Sequence, residues 1–306
     1  MTSGNIIGIA AVLILIAGPL LLALAGLIHT RRTSPDVDPD LATPWDWKLT
    51  TMSALLYAFA FNLTFFIQEL FLVLPKALTP GLRPTLFHNN HNWEGENVLA
   101  SLFQGTGALA IFLTGVVCAL LSRRGLGSST AVRLFLFWMA YSGLFMALPQ
   151  VVIGAVSPQS DVGMAMAYLD LSPTAKTVAA LVALAAIPLI AVRLRCLLLD
   201  LAGGMDNIAS AKGRKFFIVK IATLPSLIAI PLIILFRMPR DWIEVVMVPM
   251  VVTVIGIAWI QADAWRIGGV RSGGGSAAGS VAWPLSAVLF LLLIFQLLLR
   301  PGIRFY

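Results

Sequence analysis

Long apolar runs separated by short polar stretches dominate the chain. Eight runs reach the length of a membrane helix, near 5–28, 51–75, 99–122, 131–156, 177–200, 217–236, 245–262 and 281–299. At about 1.5 Å per residue, each can cross a hydrocarbon core of roughly 30 Å. The predicted fold is all-α: a polytopic helical membrane protein of about eight transmembrane helices in a single domain. The loops are too short to hold a soluble domain. Pro225, Pro231 and Pro249 interrupt the sixth and seventh runs. Neighbouring groups in a membrane bundle can re-satisfy the carbonyls a proline frees, so kinks are expected and not breaks. Between the fourth and fifth runs, Met164, Met166, Leu169 and Leu171 make the connection too apolar for a free loop. A short interfacial or re-entrant helix from Asp161 to Leu169 is expected there. Ser172-Pro173 then supplies an N-cap and a first-turn proline for the fifth span.

Composition agrees with this reading. Hydrophobic residues make up 59% and charged residues 11%, against about 45–50% and about 25% in soluble domains, and the mean hydropathy is +0.91. The first apolar run follows MTSGN, which lacks a basic n-region, and precedes Arg31-Arg32; it reads as a retained span and not a cleaved leader. Of the 21 Lys and Arg residues, 14 fall in the odd-numbered loops. The positive-inside rule makes those loops cytoplasmic and both termini extracytoplasmic, in a cell (inner) membrane.

The net charge of +7 sits at helix ends and in loops, so no nucleic acid partner is expected. The expected partners are the bilayer, anionic lipid headgroups at the cytoplasmic cluster Lys212, Arg214 and Lys215, and a membrane protein. Cys118 and Cys196 form no CxxC pair and read as unreactive thiols. The Asp36, Asp38 and Asp40 run lacks the Gly and Glu of a calcium loop. Trp45 and Trp47 beside Lys48 read as interfacial anchors. GLGSS at 125–129 and the Gly/Ser stretch near 268–280 lack the GK[ST] of a phosphate loop, so nucleotide binding has no support. No repeat or pair of inverted halves is visible.

The polar chemistry concentrates in Phe61–Gly95. Glu69 lies six residues before Pro75, about 9 Å inside the second span. A carboxylate at that depth is costly and is a functional-site hypothesis by default. It is the candidate catalytic residue, with Asn62, Gln68 and Gln104 as candidate ligand-pocket residues. Asn62 is seven residues earlier, on nearly the same face. Gln104, near the start of the third span, is expected to hydrogen-bond Glu69 directly. Ser101 and Gly105 would let the two helices approach closely.

His88 and His91 form an HxxH motif followed by Glu94. On one helical turn, such imidazoles and a carboxylate could hold zinc or iron. The other reading is an extracytoplasmic loop capping the third span. The third histidine, His29, is expected at the opposite face. The segment thus divides into a buried carboxylate with a partner on the next span and an external HxxH independent of it.

The stretch IQELFLVLP at 67–75 resembles the HExxH helix of site-2-protease-type intramembrane metallopeptidases. Gln68-Glu69-Leu70-Phe71-Leu72 stands in place of HExxH. Pro158, Asp161 and Gly163 resemble that family's later NxxPxxDG region. The resemblance implies a related fold without zinc hydrolysis, because both helical ligands are replaced and Glu69 would have no metal-bound water to activate.

Three functional readings follow. The first is a non-catalytic assembly or ligand-binding subunit with an outward-facing polar pocket around Glu69. The second is a metal-dependent intramembrane enzyme using Glu69, His88 and His91. The third is a proton-coupled transporter. The missing repeats count against the transporter and the incomplete ligand set against the enzyme, which leaves the first reading ahead.

Overall fold

The computed structural model describes residues 2–33, 45–125, 129–202, 208, 210–240, 242–266 and 279–306. The Asp36–Asp40 run, most of the Gly/Ser stretch and residues 126–128 lie outside the described residues. Among the described residues, eight helices are long and apolar enough to cross a membrane, each overlapping an apolar run of the sequence.

In chain order, α1 (Ser3–Val12) passes through a π-helical turn, Leu13–Ala17, into α2 (Gly18–Thr33), and α3 (Trp47–Ala77) follows unbroken. The third span is split into α4 (Leu99–Phe103) and α5 (Thr106–Arg123). Next come α6 (Thr130–Val156), the short α7 (Asp161–Tyr168) and α8 (Pro173–Leu199). The sixth span joins α9 (Ala211–Ile218) to α10 (Leu224–Arg237) through a π-helical turn, Val219–Thr223. Finally α11 (Trp242–Asp263) and α12 (Ala282–Leu293) complete the bundle, the last running into a π-helical segment, Ile294–Leu299. The expected short helix after Ser160 is present, and Ser172 caps α8 by accepting from Ala175 N–H.

The all-α expectation needs one correction. β1 (Arg83–Leu86), β2 (His91–Glu94) and β3 (Ile303–Arg304) form a small antiparallel sheet in the order β2-β1-β3. Pairing of Leu86 with Ile303 brings the C-terminal residues to the hairpin. The hairpin, α7, the turn at 238–240 and the C-terminus therefore share one end of the bundle. Trp45, Arg195, Arg214 and Asp263 mark the opposite, basic end, where Trp45 packs on Phe216 and Arg195 pairs with Asp263 at 2.9 Å. His29 lies at this end as well, beside Trp265.

The central element is α3. Its 31 residues span roughly 46 Å, longer than a hydrocarbon core, and it packs on α5, α6, α10, α12 and the hairpin. The bends of α10 explain part of its polar face. Pro225 has no N–H for the Ile221 carbonyl, and the Leu224 N–H bonds Val219, leaving the Lys220 carbonyl open. Ser53 donates to Ile221 O at 2.6 Å and Thr50 to Lys220 O at 3.0 Å. Pro225 thus interrupts the backbone ladder without ending the helix, because α3 re-satisfies the carbonyls it leaves open.

α5 and α6 pack closely through glycine. A Cβ on Gly143 would collide with the Ile111 carbonyl oxygen and stand 2.9 Å from Gly115 Cα. Gly143→Ala is expected to cost about 1–3 kcal/mol by forcing the helices apart. Gly8→Ala, with nothing within 4 Å of its added methyl, should be neutral or slightly stabilising, since alanine is the better helix former. Thermal unfolding of the detergent-solubilised protein compares the two.

Candidate functional site

The site is built where the hairpin folds back over the end of α3. Gly81 and Gly95, both at positive φ, flank the hairpin; only glycine takes that conformation without steric cost. Strand alternation then turns His91 and Trp93 toward the helices, while Asn92 and Glu94 face outward. On α3, Asn62, Glu69 and Lys76 recur every seven residues, on nearly one face, and all three are buried.

His91 connects two of them. Its Nδ1 lies 2.8 Å from Glu69 Oε2, and its Nε2 lies 3.2 Å from Lys76 Nζ and 3.1 Å from Gln104 Oε1. Lys76 Nζ also donates to Gln104 Oε1 at 3.2 Å and sits 4.3 Å from the centre of the Trp93 ring. The imidazole thereby spans the two helical turns, about 10 Å, between Glu69 and Lys76. The amine, the carboxyl group and the imidazole each have a partner within hydrogen-bond distance, as buried polar groups must. The ligands of this chain come from three elements: α3, β2 and the break between α4 and α5, where Gln104 ends α4.

Asp161 faces the same group from α7. Burial pushes its carboxyl above the ordinary carboxylate range, and the Glu69 charge adds to this. His91, Lys76 and Arg240 pull in the other direction. Ser160 caps the helix by accepting from Gly163 N–H at 3.3 Å. Gly163 lets α7 settle on α6, because a Cβ there would meet the Ser157 carbonyl oxygen.

Beside the ion chain lies a cavity of about 400 Å³ between α3, α6, α7 and α11. Gln68, Gln150, Ser160, Asp161 and Arg237 supply its polar groups. Gln150 Nε2 donates to Gln68 Oε1 at 2.9 Å, and the Arg237 guanidinium lies 4.4 Å from the centre of the Phe65 ring. The remaining wall is apolar, chiefly Met146, Ile153, Met247, Val248 and Val251. Met247 and Ile153 are half exposed, so the cavity opens sideways from the bundle, between α6 and α11. Ser160, Asp161 and Arg237 are at helix ends, which places the polar groups toward the hairpin end.

These positions revise several expectations. Glu69 and Gln104 do not bond directly, since His91 stands between them. The HxxH is not independent of Glu69, because His91 is its partner. Nor does it occupy a helical turn: His88 is at the hairpin tip, where Nε2–H donates to Met238 O at 3.2 Å. The neighbouring Asn89 donates to Arg237 O and Pro239 O, each at 3.0 Å. Together they satisfy carbonyls at the end of α10. Burial holds the His88 imidazole below its usual range, and Arg300, Arg240 and Arg237 reinforce this against the bond to Met238. Glu94 is exposed and paired with Arg83 across the strands.

The zinc or iron set expected from His88, His91 and Glu94 is therefore not assembled, and among the described residues no three His, Cys, Asp or Glu side chains converge as metal ligands. Asn62 donates to Ala58 O within its own helix at 2.8 Å and joins neither the chain nor the cavity wall. Of the pocket residues expected from sequence, Gln68 lines the cavity and Gln104 joins the ion chain. Lys76, Trp93, Gln150 and Arg237 were not anticipated as site residues. Lys76 left a direct signal, its heptad spacing from Glu69, and Trp93 a weaker one, its two-residue spacing from His91. Of the residues carrying the metallopeptidase resemblance, Glu69 and Asp161 meet at the site, Pro158 is exposed and Gly163 packs on α6.

Fold and site together define a protein with, among the described residues, eight helices long and apolar enough to cross a membrane, and a buried Lys76–His91–Glu69 chain beside a sideways-opening cavity. No family description, curated protein or solved structure matches the chain.

Proposed function

We propose that this is a multi-pass protein of the cell membrane that binds an amphipathic ligand from the outer side. The bias of Lys and Arg toward the odd loops orients the hairpin end outward. The observation that carries the reading is the cavity: a largely apolar wall that opens between α6 and α11, with amides and charged groups gathered toward the hairpin end. Such a mixture suits a ligand with a hydrocarbon body and a polar head. The body would lie along Met247 and Val251, and the head would meet Gln68, Gln150 and Asp161.

Binding is favoured over catalysis by the state of His91. Lys76 and Gln104 both crowd its Nε2, so no lone pair is left open toward the cavity for acid–base work on a ligand.

Val251→Trp should fill the cavity. Val254→Trp, on the same helix but exposed and outside the cavity wall, is its control. Native mass spectrometry of protein extracted with its lipids reads the retained adduct. Wild type and Val254→Trp are expected to keep it, and Val251→Trp to lose it about tenfold or more, equal to about 1.4 kcal/mol of binding. Equal retention in all three would rule out this cavity as the binding site.

A further inference from the structure

Gln104 Oε1 stands 3.1 Å from His91 Nε2 and 3.2 Å from Lys76 Nζ. A carbonyl oxygen within reach of two possible donors can serve whichever carries the proton. With an ionic chain, the Lys76 ammonium donates to Nε2 and to Oε1, and Nδ1–H donates to the Glu69 carboxylate. A second arrangement uses the same atoms. An Nζ–H bond breaks as Nε2–H forms, and Nδ1–H breaks as Oε2–H forms. Nε2–H then donates to Gln104 Oε1, the Glu69 hydroxyl donates to Nδ1, and Lys76 becomes an amine. One positive and one negative charge cancel, and both ring nitrogens keep a partner in either form.

We propose that Lys76, His91 and Glu69 form a proton-relay site, in which the imidazole passes a proton between an amine and a carboxylate two helical turns apart. Gln104 is its positioning residue. The surroundings give each form support. The Trp93 ring favours the ammonium through its π face, whereas burial in the span favours cancelled charge. Three elements present charged groups to the chain: α3 with Glu69 and Lys76, β2 with His91, and α7 with Asp161. Arg240 acts on Asp161 from the turn after α10.

The relay has a consequence at the cavity. Neutralising Glu69 removes the like charge that opposes ionisation of Asp161, so negative charge is favoured at the cavity wall in place of the span interior. The site does not depend on ligand binding. The ligand-free protein contains every group it needs, and Val251→Trp leaves them in place.

The chain has only three histidines, so ¹⁵N-histidine labelling in lipid nanodiscs gives three assignable rings, with His29→Gln and His88→Gln as references. The expected wild-type His91 signals are averages between the Nδ1–H and Nε2–H tautomers. A carboxylic C=O infrared band should accompany them, lost in Glu69→Gln and kept in Asp161→Asn. Lys76→Met removes the proton source and should leave the Nδ1–H tautomer alone, without the band. A wild-type His91 held as one tautomer at every temperature sampled, without a Glu69 carboxylic band, would overturn the relay; so would an imidazolium protonated on both nitrogens. The wild-type spectrum decides the matter even if Lys76→Met fails to fold.

Discussion

Glu69→Leu is expected to destabilise the detergent-solubilised protein by about 3–5 kcal/mol, the usual cost of removing one partner from a buried charge pair. The substitution leaves Lys76, which is fully buried, without its carboxylate and frees the Nδ1–H of His91. Lys76→Met should cost a similar amount by stranding Glu69. The double variant Glu69→Leu/Lys76→Met should recover part of the loss, because no unpaired charge stays buried, while His91 still lacks both of these partners. Groups joined through one network give such non-additive effects, while independent sites add. Unfolding of the four proteins measures the coupling. Strict additivity would show that His91 does not join the two charges.

Trp138→Ala should destabilise by a comparable amount, about 3–5 kcal/mol, for a different reason. Trp138 is fully buried at the centre of the bundle. Its ring packs 4.3 Å from Tyr57 and 5.4 Å from Tyr141, centre to centre. Its Nε1–H donates to Ser53 Oγ at 2.9 Å, and Ser53 in turn donates to the Ile221 carbonyl that Pro225 leaves open. Truncation removes the packing between α3 and α6 and opens a cavity. Trp138→Phe keeps most of the packing and loses one hydrogen bond, at about 1 kcal/mol. Thermal unfolding should rank the variants wild type, Phe, then Ala. Equal losses for Phe and Ala would place the hydrogen bond above the packing.

The spans were legible in the sequence because length and hydropathy decide them locally. Each apolar run from 5–28 to 281–299 corresponds to a helix, and even the short helix after Ser160 announced itself through its methionines and leucines. The sheet was not legible in the same way. LRPTLFHNNHNWEG alternates only weakly, contains a proline in β1, and pairs on its other edge with residues more than 200 positions away. Yet Gly81 and Gly95 bracket the segment, and His91 and Trp93 stand two apart, as two residues on one face of a strand do. Reading HxxH as a helical turn sent both imidazoles in one direction; the hairpin sends His91 to Glu69 and His88 to Met238.

The candidate site shows the same division. The cost of burying Glu69 was visible in its depth, and Gln104 was rightly placed nearby. That an imidazole from the hairpin would separate them depended on strand register, which no local pattern encodes. The cavity was the least legible feature. Its walls come from α3, α6, α7 and α11, and residues such as Met247 and Val251 look like any other lipid-facing side chain until the packing is known.

An experimental density map of the protein in nanodiscs formed with its native lipids tests the central claim most directly. An occupied cavity should show elongated density between α6 and α11, running from Val251 and Val252 to a head beside Gln68 and Asp161. A closed gap, with Met247 packed on Met146 and no density between them, would contradict the account.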